Sequence, residues 1–381
     1  SICRLLKRGL EKYSRTDSGA WYTYKWVDLP TGKDGVYVSK EDESAMHDNP
    51  VKLLPKEIRD EFIKQANDNF HNSFDNKDEI PYTLKCDGEL NPRCKFFMNY
   101  FLKIYNGDLK KVLENHIRVI RKTYSEIDRV GIGTFQPKDE KNQDATELTG
   151  DINFSRLSTF GSDSDSRSFT FDGEFCVANR GMIEFIEALK LEQAFLYDLL
   201  GASQEQSIKP KKFSQIGIDL AIFAHTNSPE YQKLKSNQYM EALRDRTVKI
   251  DVPYTLKWSD ELKILEKDYG PEKVKQHVAP HTLEIAALWS VLTRLDDDKD
   301  GKLSLVEKAE LYDGKMLPGW TEDSVKELKD RYSEEGMSGG VSVRYVQDKI
   351  SNCLSTNHEY VNMFMVLNEL RDGLEIGRAH V

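Results

Sequence analysis

Long apolar runs are missing from this 381-residue sequence. None approaches the roughly 18 residues that a helix needs to cross a bilayer, so no membrane span is expected. Cationic excess is missing too: 54 Lys and Arg stand against 64 Asp and Glu, a formal net charge of −10. Duplex affinity rests on clustered cations, so nucleic acid is not an expected partner. Cysteine is scarce, with five residues scattered as Cys3, Cys86, Cys94, Cys176 and Cys353. An odd, scattered set argues against a disulfide frame and for a reducing compartment, the cytoplasm. Cys86 and Cys94, in KCDGELNPRCKF, have turn formers between them but lack the two further soft ligands that zinc wants. The first residues do not read as a signal peptide.

What is present suffices for two domains with a sizeable core: 39% of residues are hydrophobic and 31% charged. The most informative stretch is Phe171 to Lys190, FDGEFCVANRGMIEFIEALK. It reads as a buried strand that delivers an acid, Glu187, at its carboxyl end, where open α/β sheets place their chemistry. The same letters also fit a helix, with Met182, Phe185, Ile186 and Leu189 at spacings of three and four. The order downstream favours the strand. A polar amphipathic segment, Leu191 to Gln206, is followed by a second apolar strand, Ile218 to Ala224, which ends in His225-Thr226-Asn227, and then by Arg244 and Arg246. A carboxylate, an amide and guanidinium groups are what phosphoryl transfer asks of a protein: a water held in line, and positive charge against the spreading negative charge of the transition state.

Around this stretch the reading is coarser. Ile2, Leu5, Leu6 and Leu10 share one face of an amino-terminal helix, AWYTYKWV alternates as a strand, and residues 28–43 form a polar loop. His47, before the Pro50 turn, reads as structural or solvated in preference to functional. Residues 56–130 are mostly helical and charged, an insertion, and VGIGTF at 130–135 is a short strand too weakly patterned to be a nucleotide loop. Asp296 to Glu307, DDDKDGKLSLVE, has the spacing of a calcium loop, with Asp296, Asp298, Asp300 and Glu307 at liganding places and Gly301 at the turn. Against it stand the absence of a second loop and the fact that an acidic turn between helices needs no metal.

The order of acid-bearing strand, helix, strand ending in Thr-Asn and arginine pair resembles AAA+ ATPases. ELTG at 147–150, FGSDSD, FDGE, ANRG, LGASQE at 200–205, KPKKF at 209–213, AHTNSPEY at 224–231 and EALRDRTVKIDVPY at 241–254 resemble the PrkA-type serine protein kinases, and the similarity runs from Ser1 to about Glu375. That resemblance implies an α/β fold: an AAA+ P-loop NTPase core of three layers around a mostly parallel sheet, over residues 1–275. An inserted helical segment at about 28–130 and a C-terminal α-helical lid at 276–375 complete it, with 376–381 a non-native tail. It implies ATP and Mg²⁺ as cofactors, a protein substrate, serine phosphorylation and a homo-oligomeric ring.

Carried onto residues, the resemblance puts Glu187 at the Walker B glutamate, Asn227 at sensor 1, Arg244 and Arg246 at the arginine finger and Arg344 at sensor 2, with Val343 where a proline is usual. Ile186 stands where the Walker B aspartate would be, and Glu184 takes its place if the strand register differs. Ser1 falls just past the glycine-lysine phosphate loop, which these residues do not contain. The fragment is therefore expected to bind ATP weakly or not at all, and the kinase-like region after the ATPase module is expected to be absent. No His-Arg-Asp or Asp-Phe-Gly motif of ordinary protein kinases occurs. Two other readings stay open: a remodelling or protease-coupled ATPase without kinase activity, and a calcium-binding interaction module.

Overall fold

The computed structural model describes residues 2–32, 35–72, 82–136, 146–190, 193–210, 212–236, 241–270, 272–337, 339–356 and 358–372. Ser1 and the segment 376–381 lie outside these. The chain divides into two compact units, Ser1–Thr247 and Val248–Val381.

The first unit opens with α1 (Ile2–Ser14) and continues into β1 (Trp21–Trp26) and the short β2 (Asp42–Glu43). Three helices follow, α2 (Lys56–His71), α3 (Pro92–Ile104) and α4 (Leu109–His116), and lead into β3 (Ile117–Lys122). The expectation of a mostly helical insertion is met only in part. β3 pairs antiparallel with β1 along its whole length, from Trp21 opposite Lys122 to Trp26 opposite Ile117, and closes a sheet in the order β2-β1-β3. The charges of IRVIRK mask the β-branched residues that make it a strand. Trp26 of β1, fully buried, stacks on Phe101 of α3 at 6.0 Å between ring centroids, so the insertion and β1 share one core.

The second sheet of this unit carries the candidate site residues Glu184 and Glu187. β4 (Ile132–Phe135) is followed by α5 (Glu174–Ala178), β5 (Met182–Ile186), α6 (Gln193–Gln204) and β6 (Ala221–His225), and the strands lie in the order β6-β5-β4, all parallel. β5 is central, and Met182 to Phe185 are buried. A parallel strand covered on both faces reads as a continuous apolar run, which is why its letters also fit a helix. Phe135, Phe175, Ile183, Phe185, Phe195 and Leu199 pack into one core. The ANRG turn before β5 joins the two sheets. Asn179 donates to Met46 O at 2.6 Å and accepts from Asp219 N at 2.8 Å, and Arg180 donates to Tyr22 O at 2.6 Å. Past β6 come α7 (Ser228–Ser236) and α8 (Glu241–Asp245).

The second unit is mainly helical: α9 (Trp258–Tyr269), α10 (Thr282–Leu292), α11 (Leu305–Asp313), α12 (Glu322–Arg331), α13 (Val343–Leu354) and α14 (Met363–Asp372). α9, which the sequence reading put before the lid, packs along α10 and buries Leu265 with Ala286, Ala287 and Val346. Two fully buried ion pairs pin this unit. Arg294 meets Glu261 at 2.8 Å, and Lys308 meets Glu335 at 2.5 Å, the latter carboxylate also accepting from the Tyr312 hydroxyl at 2.9 Å.

Candidate functional site

β5 and β6 run side by side, and their last paired residues are Ile186 and His225. One step beyond, β5 ends in Glu187. β6 continues through Thr226 to Asn227. Glu187 and Asn227 therefore follow the adjoining carboxyl ends of neighbouring parallel strands. Glu187 has φ +53°, a left-handed turn that takes the chain out of the strand, and its carboxylate, half exposed, pairs with Lys190 at 2.9 Å. Asn227 is exposed and caps α7, its Oδ1 accepting from Glu230 N at 3.0 Å. α7 packs on the 3₁₀ turn Ala188–Lys190 beside Glu187, and α8 packs in turn on α6 and α7. Arg244 and Arg246 lie at the end of α8, their guanidinium groups bonded to Lys235 O at 3.2 Å and Ala242 O at 2.8 Å.

Glu184 is deeper in β5 and has partners of its own. Oε2 lies 2.5 Å from Lys7 Nζ, and Oε1 lies 3.3 Å from His225 Nε2. Burial opposes ionisation of this carboxyl, but the Lys7 bond and charge, aided by Cys3 and His225, outweigh it and hold it below the usual range. Lys7 also reaches Glu126 at 2.6 Å and Thr134 Oγ1 at 2.5 Å, and despite burial its ammonium is held above the ordinary lysine value by the two glutamates. Cys3 responds oppositely: burial and then the Glu184 charge push its thiol up. Beside them Glu174 accepts from Thr134 N at 3.0 Å and pairs with Arg129 at 2.9 Å, while burial keeps its carboxyl above the usual range.

Lys7 and His225 were not singled out from the sequence. The period of α1 pointed to Ile2, Leu5, Leu6 and Leu10 as one face, yet Ile2, Leu5 and Leu6 are exposed here, and Lys7 and Ser14 are buried. The signal that could have found Lys7 is the same-side spacing of Lys7 and Ser14, two polar residues seven apart.

In the second unit Arg344 lies in the first turn of α13, exposed, after the Ser342 cap. The acidic stretch 296–307 is held by protein partners. Glu307 Oε2 accepts from Ser304 N at 2.8 Å and Ser304 Oγ at 2.7 Å, a capping box for α11. Asp298 accepts from Lys302 N at 2.8 Å, and Asp300 pairs with Arg331 at 2.9 Å. Asp296 is tied through its amide to Glu335 at 2.7 Å. Among the described residues no group of three or more His, Cys, Asp or Glu could hold a metal ion, and no helix is long and apolar enough to cross a membrane.

A parallel sheet with helices packed on it is an α/β core, and the AAA+ P-loop ATPase class of that core is given by its family match. Residues 27–302 match the family profile described as PrkA AAA domain, and residues 306–379 match the profile described as PrkA serine protein kinase C-terminal domain. The chain belongs to the PrkA family. The second match corrects the expectation that the C-terminal region is absent, since the helices from α11 onward fall within it.

The chain is 38% identical over 377 residues to the ATP-dependent protease PrkA of Bacillus subtilis (strain 168), covering 98% of this chain and 53% of that protein. It is 30% identical over 275 residues to the serine/threonine kinase YeaG of Escherichia coli (strain K12), covering 70% of this chain and 41% of that protein. The chain thus spans about half the length of the curated relatives it matches. Among solved structures, NtrX from Brucella abortus aligns at 12% identity with a TM-score of 0.32, over 68% of this chain and 57% of its own.

Proposed function

We propose that this chain is the ATP-binding and hydrolysing part of an ATP-dependent serine protein kinase. The observation that carries the reading is the placement of Glu187 and Asn227 at adjoining carboxyl ends of β5 and β6. ATP, when bound, supplies the phosphoryl group and its leaving nucleotide. Glu187, exposed and free of deep packing, accepts a hydrogen bond from the attacking water, and the Asn227 amide holds that water in line. Arg244 and Arg246, on a helix linked through α7 to the same edge, supply cationic charge, in the family pattern to the site of an adjoining copy.

The residues fit the carboxylate and amide roles better than they fit a magnesium site. Glu184, the residue that would replace the Walker B aspartate, already has Lys7 on one oxygen and His225 near the other. A carboxylate so neutralised is a poor ligand for a second cation. Its part here is to hold α1 to the sheet, and no step is assigned to a metal.

A second reading has its own support: the relative that covers nearly the whole chain is named a protease. In that reading the same ATP hydrolysis drives the handling of polypeptide. Both readings are tested on the sequence extended to the length of its Bacillus relative. With radiolabelled ATP and a protein substrate, label on serine supports the kinase; ATP-dependent loss of the substrate without label supports the protease. Hydrolysis undiminished in Glu187→Gln would remove both.

A further inference from the structure

A cleft of about 340 Å³ opens within the inserted segment, between the start of α2 and the outer side of α3. Its floor is apolar, formed by Leu53, Leu90, Met98 and Leu102, and its rim carries Lys52, Lys56, Arg59 and Lys95 against a single carboxylate, Glu89. Two of the four cations are already balanced: Lys52 pairs with Asp48 at 3.2 Å and Lys95 with Glu89 at 3.8 Å. Lys56 and Arg59 have no ion-pair partner among the described residues.

Arg59 is the unusual member. Only 4% of it is exposed, and its Nη1 donates to Gly88 O at 2.9 Å. Nε is buried without a hydrogen-bond partner. A guanidinium withdrawn from water with one carbonyl for company and no counter-charge is costly, and buried charges are ordinarily paired. The same wall carries the N-terminus of the 16-residue α2, whose N-cap is Pro55, a residue with no side-chain group to cap the first amides. Glu57 in the first turn balances part of the helix dipole without capping it. Two independent features, a buried unpaired guanidinium and an uncapped helix start, therefore face one cleft.

We propose that this cleft is a binding site for a small amphiphilic anion, with an acidic head group on an apolar body. The head group bonds to the free amides of α2 and to Arg59 and Lys56, and the body lies on Leu90, Met98 and Leu102. Helix N-termini and arginine both favour oxyanions. The volume lies at the small end of the roughly 300–1,000 Å³ of ligand pockets, which suits a single small molecule. The site is separate from the β5–β6 edge and does not depend on the function proposed for it.

The test is calorimetric titration of the 381-residue chain with octyl phosphate, octanol and inorganic phosphate. Octyl phosphate is expected to bind at least about tenfold more tightly than either, since only it satisfies charge and floor together. Pro55→Asp places a carboxylate where the head group would sit. It is expected to abolish octyl phosphate binding while the melting temperature stays level or rises, because aspartate is a good N-cap. Lys56→Glu, at an exposed position, is expected to weaken binding about fivefold or more with the fold unchanged. Octanol binding as tightly as octyl phosphate, or binding unchanged in Lys56→Glu and Pro55→Asp, would overturn the proposal, as would no binding of octyl phosphate at all.

Discussion

Lys7 Nζ lies 2.5 Å from Glu184 Oε2, with both side chains less than a tenth exposed. This contact joins α1 to the central strand. Removing one partner leaves the other charge buried and unpaired, so Lys7→Met should destabilise the fold by about 3–5 kcal/mol. Lys7→Met with Glu184→Met should recover much of that loss, as measured by urea unfolding. The pH dependence follows from the two shifts. The Glu184 carboxyl is lowered from an ordinary 4.5, so its contribution is present above that value and lost as pH falls through the folded one. The Lys7 ammonium is raised from 10.5, so its contribution is present below that value and lost as pH rises through the folded one. The pair should therefore contribute a constant amount across neutral pH and weaken only toward strong acid or strong base.

Substitution can separate the cap that Asn227 makes from the role proposed for its amide. Asn227→Asp keeps an oxygen for Glu230 N and should leave the melting temperature nearly unchanged, but it removes the amide N–H groups and should lower ATP turnover. Asn227→Ala should lose both, with about 1 kcal/mol of stability gone with the cap. Equal turnover in the two chains that keep the cap would show that the amide positions nothing.

Glu187 sits at φ +53°, which restricts what can replace it. In the sequence extended to the length of its Bacillus relative, Glu187→Gln should leave stability within about 0.5 kcal/mol and lower ATP hydrolysis about 10²–10³-fold. Glu187→Val, with a β-branched side chain in a left-handed turn, should cost about 1–3 kcal/mol in addition. Thermal melts beside turnover assays separate the two effects.

Thiol chemistry should follow burial. Cys94 is fully buried, and burial pushes its thiol up to about 11, while Cys176, also buried, is raised further. Iodoacetamide on the native chain at pH 8 should modify Cys3 and Cys86 and spare Cys94 and Cys176, with the latter pair reacting only after unfolding. Mass spectrometry of the labelled peptides reads this directly.

Calcium at millimolar concentration should leave the tryptophan fluorescence unchanged. The acidic stretch is already engaged: Glu307 closes the capping box, Asp298 holds the turn and Asp300 holds Arg331. Ser304→Ala, by contrast, should lower stability by about 1 kcal/mol through loss of the cap.

The parts of the fold written in local pattern were legible. The alternation of AWYTYKWV gave β1, and the apolar run into Glu187 gave β5; the second strand, expected at Ile218 to Ala224, lies at Ala221–His225, three residues later at its start and one at its end. The residues that depend on packing between distant segments were not. Lys7 meets Glu184 across 177 positions of sequence, and the seven-residue spacing of Lys7 and Ser14 is only a faint local sign of a buried polar face on α1. The acidic spacing at 296–307 is open to two readings for a related reason. Ser304 and Glu307 also form the Ser-x-x-Glu opening of a helix, and one set of letters satisfied two geometries. β3 was hidden because its charges lie on a pattern that pairing with β1, 91 residues or more earlier, makes extended.

Gly181 begins β5 against Gly131, whose carbonyl oxygen accepts from Met182 N at 3.0 Å. A Cβ at 181 would fall on that same oxygen, so the two backbones meet with no room for a methyl group. The acid stands six residues along from this contact, and a strand of fixed rise carries any displacement at its origin undiminished to its tip. Gly181 thus works as the zero mark of a ruler whose last graduation is the carboxylate. Gly181→Ala, though remote from the strand ends, should move that carboxylate out of line with its neighbour.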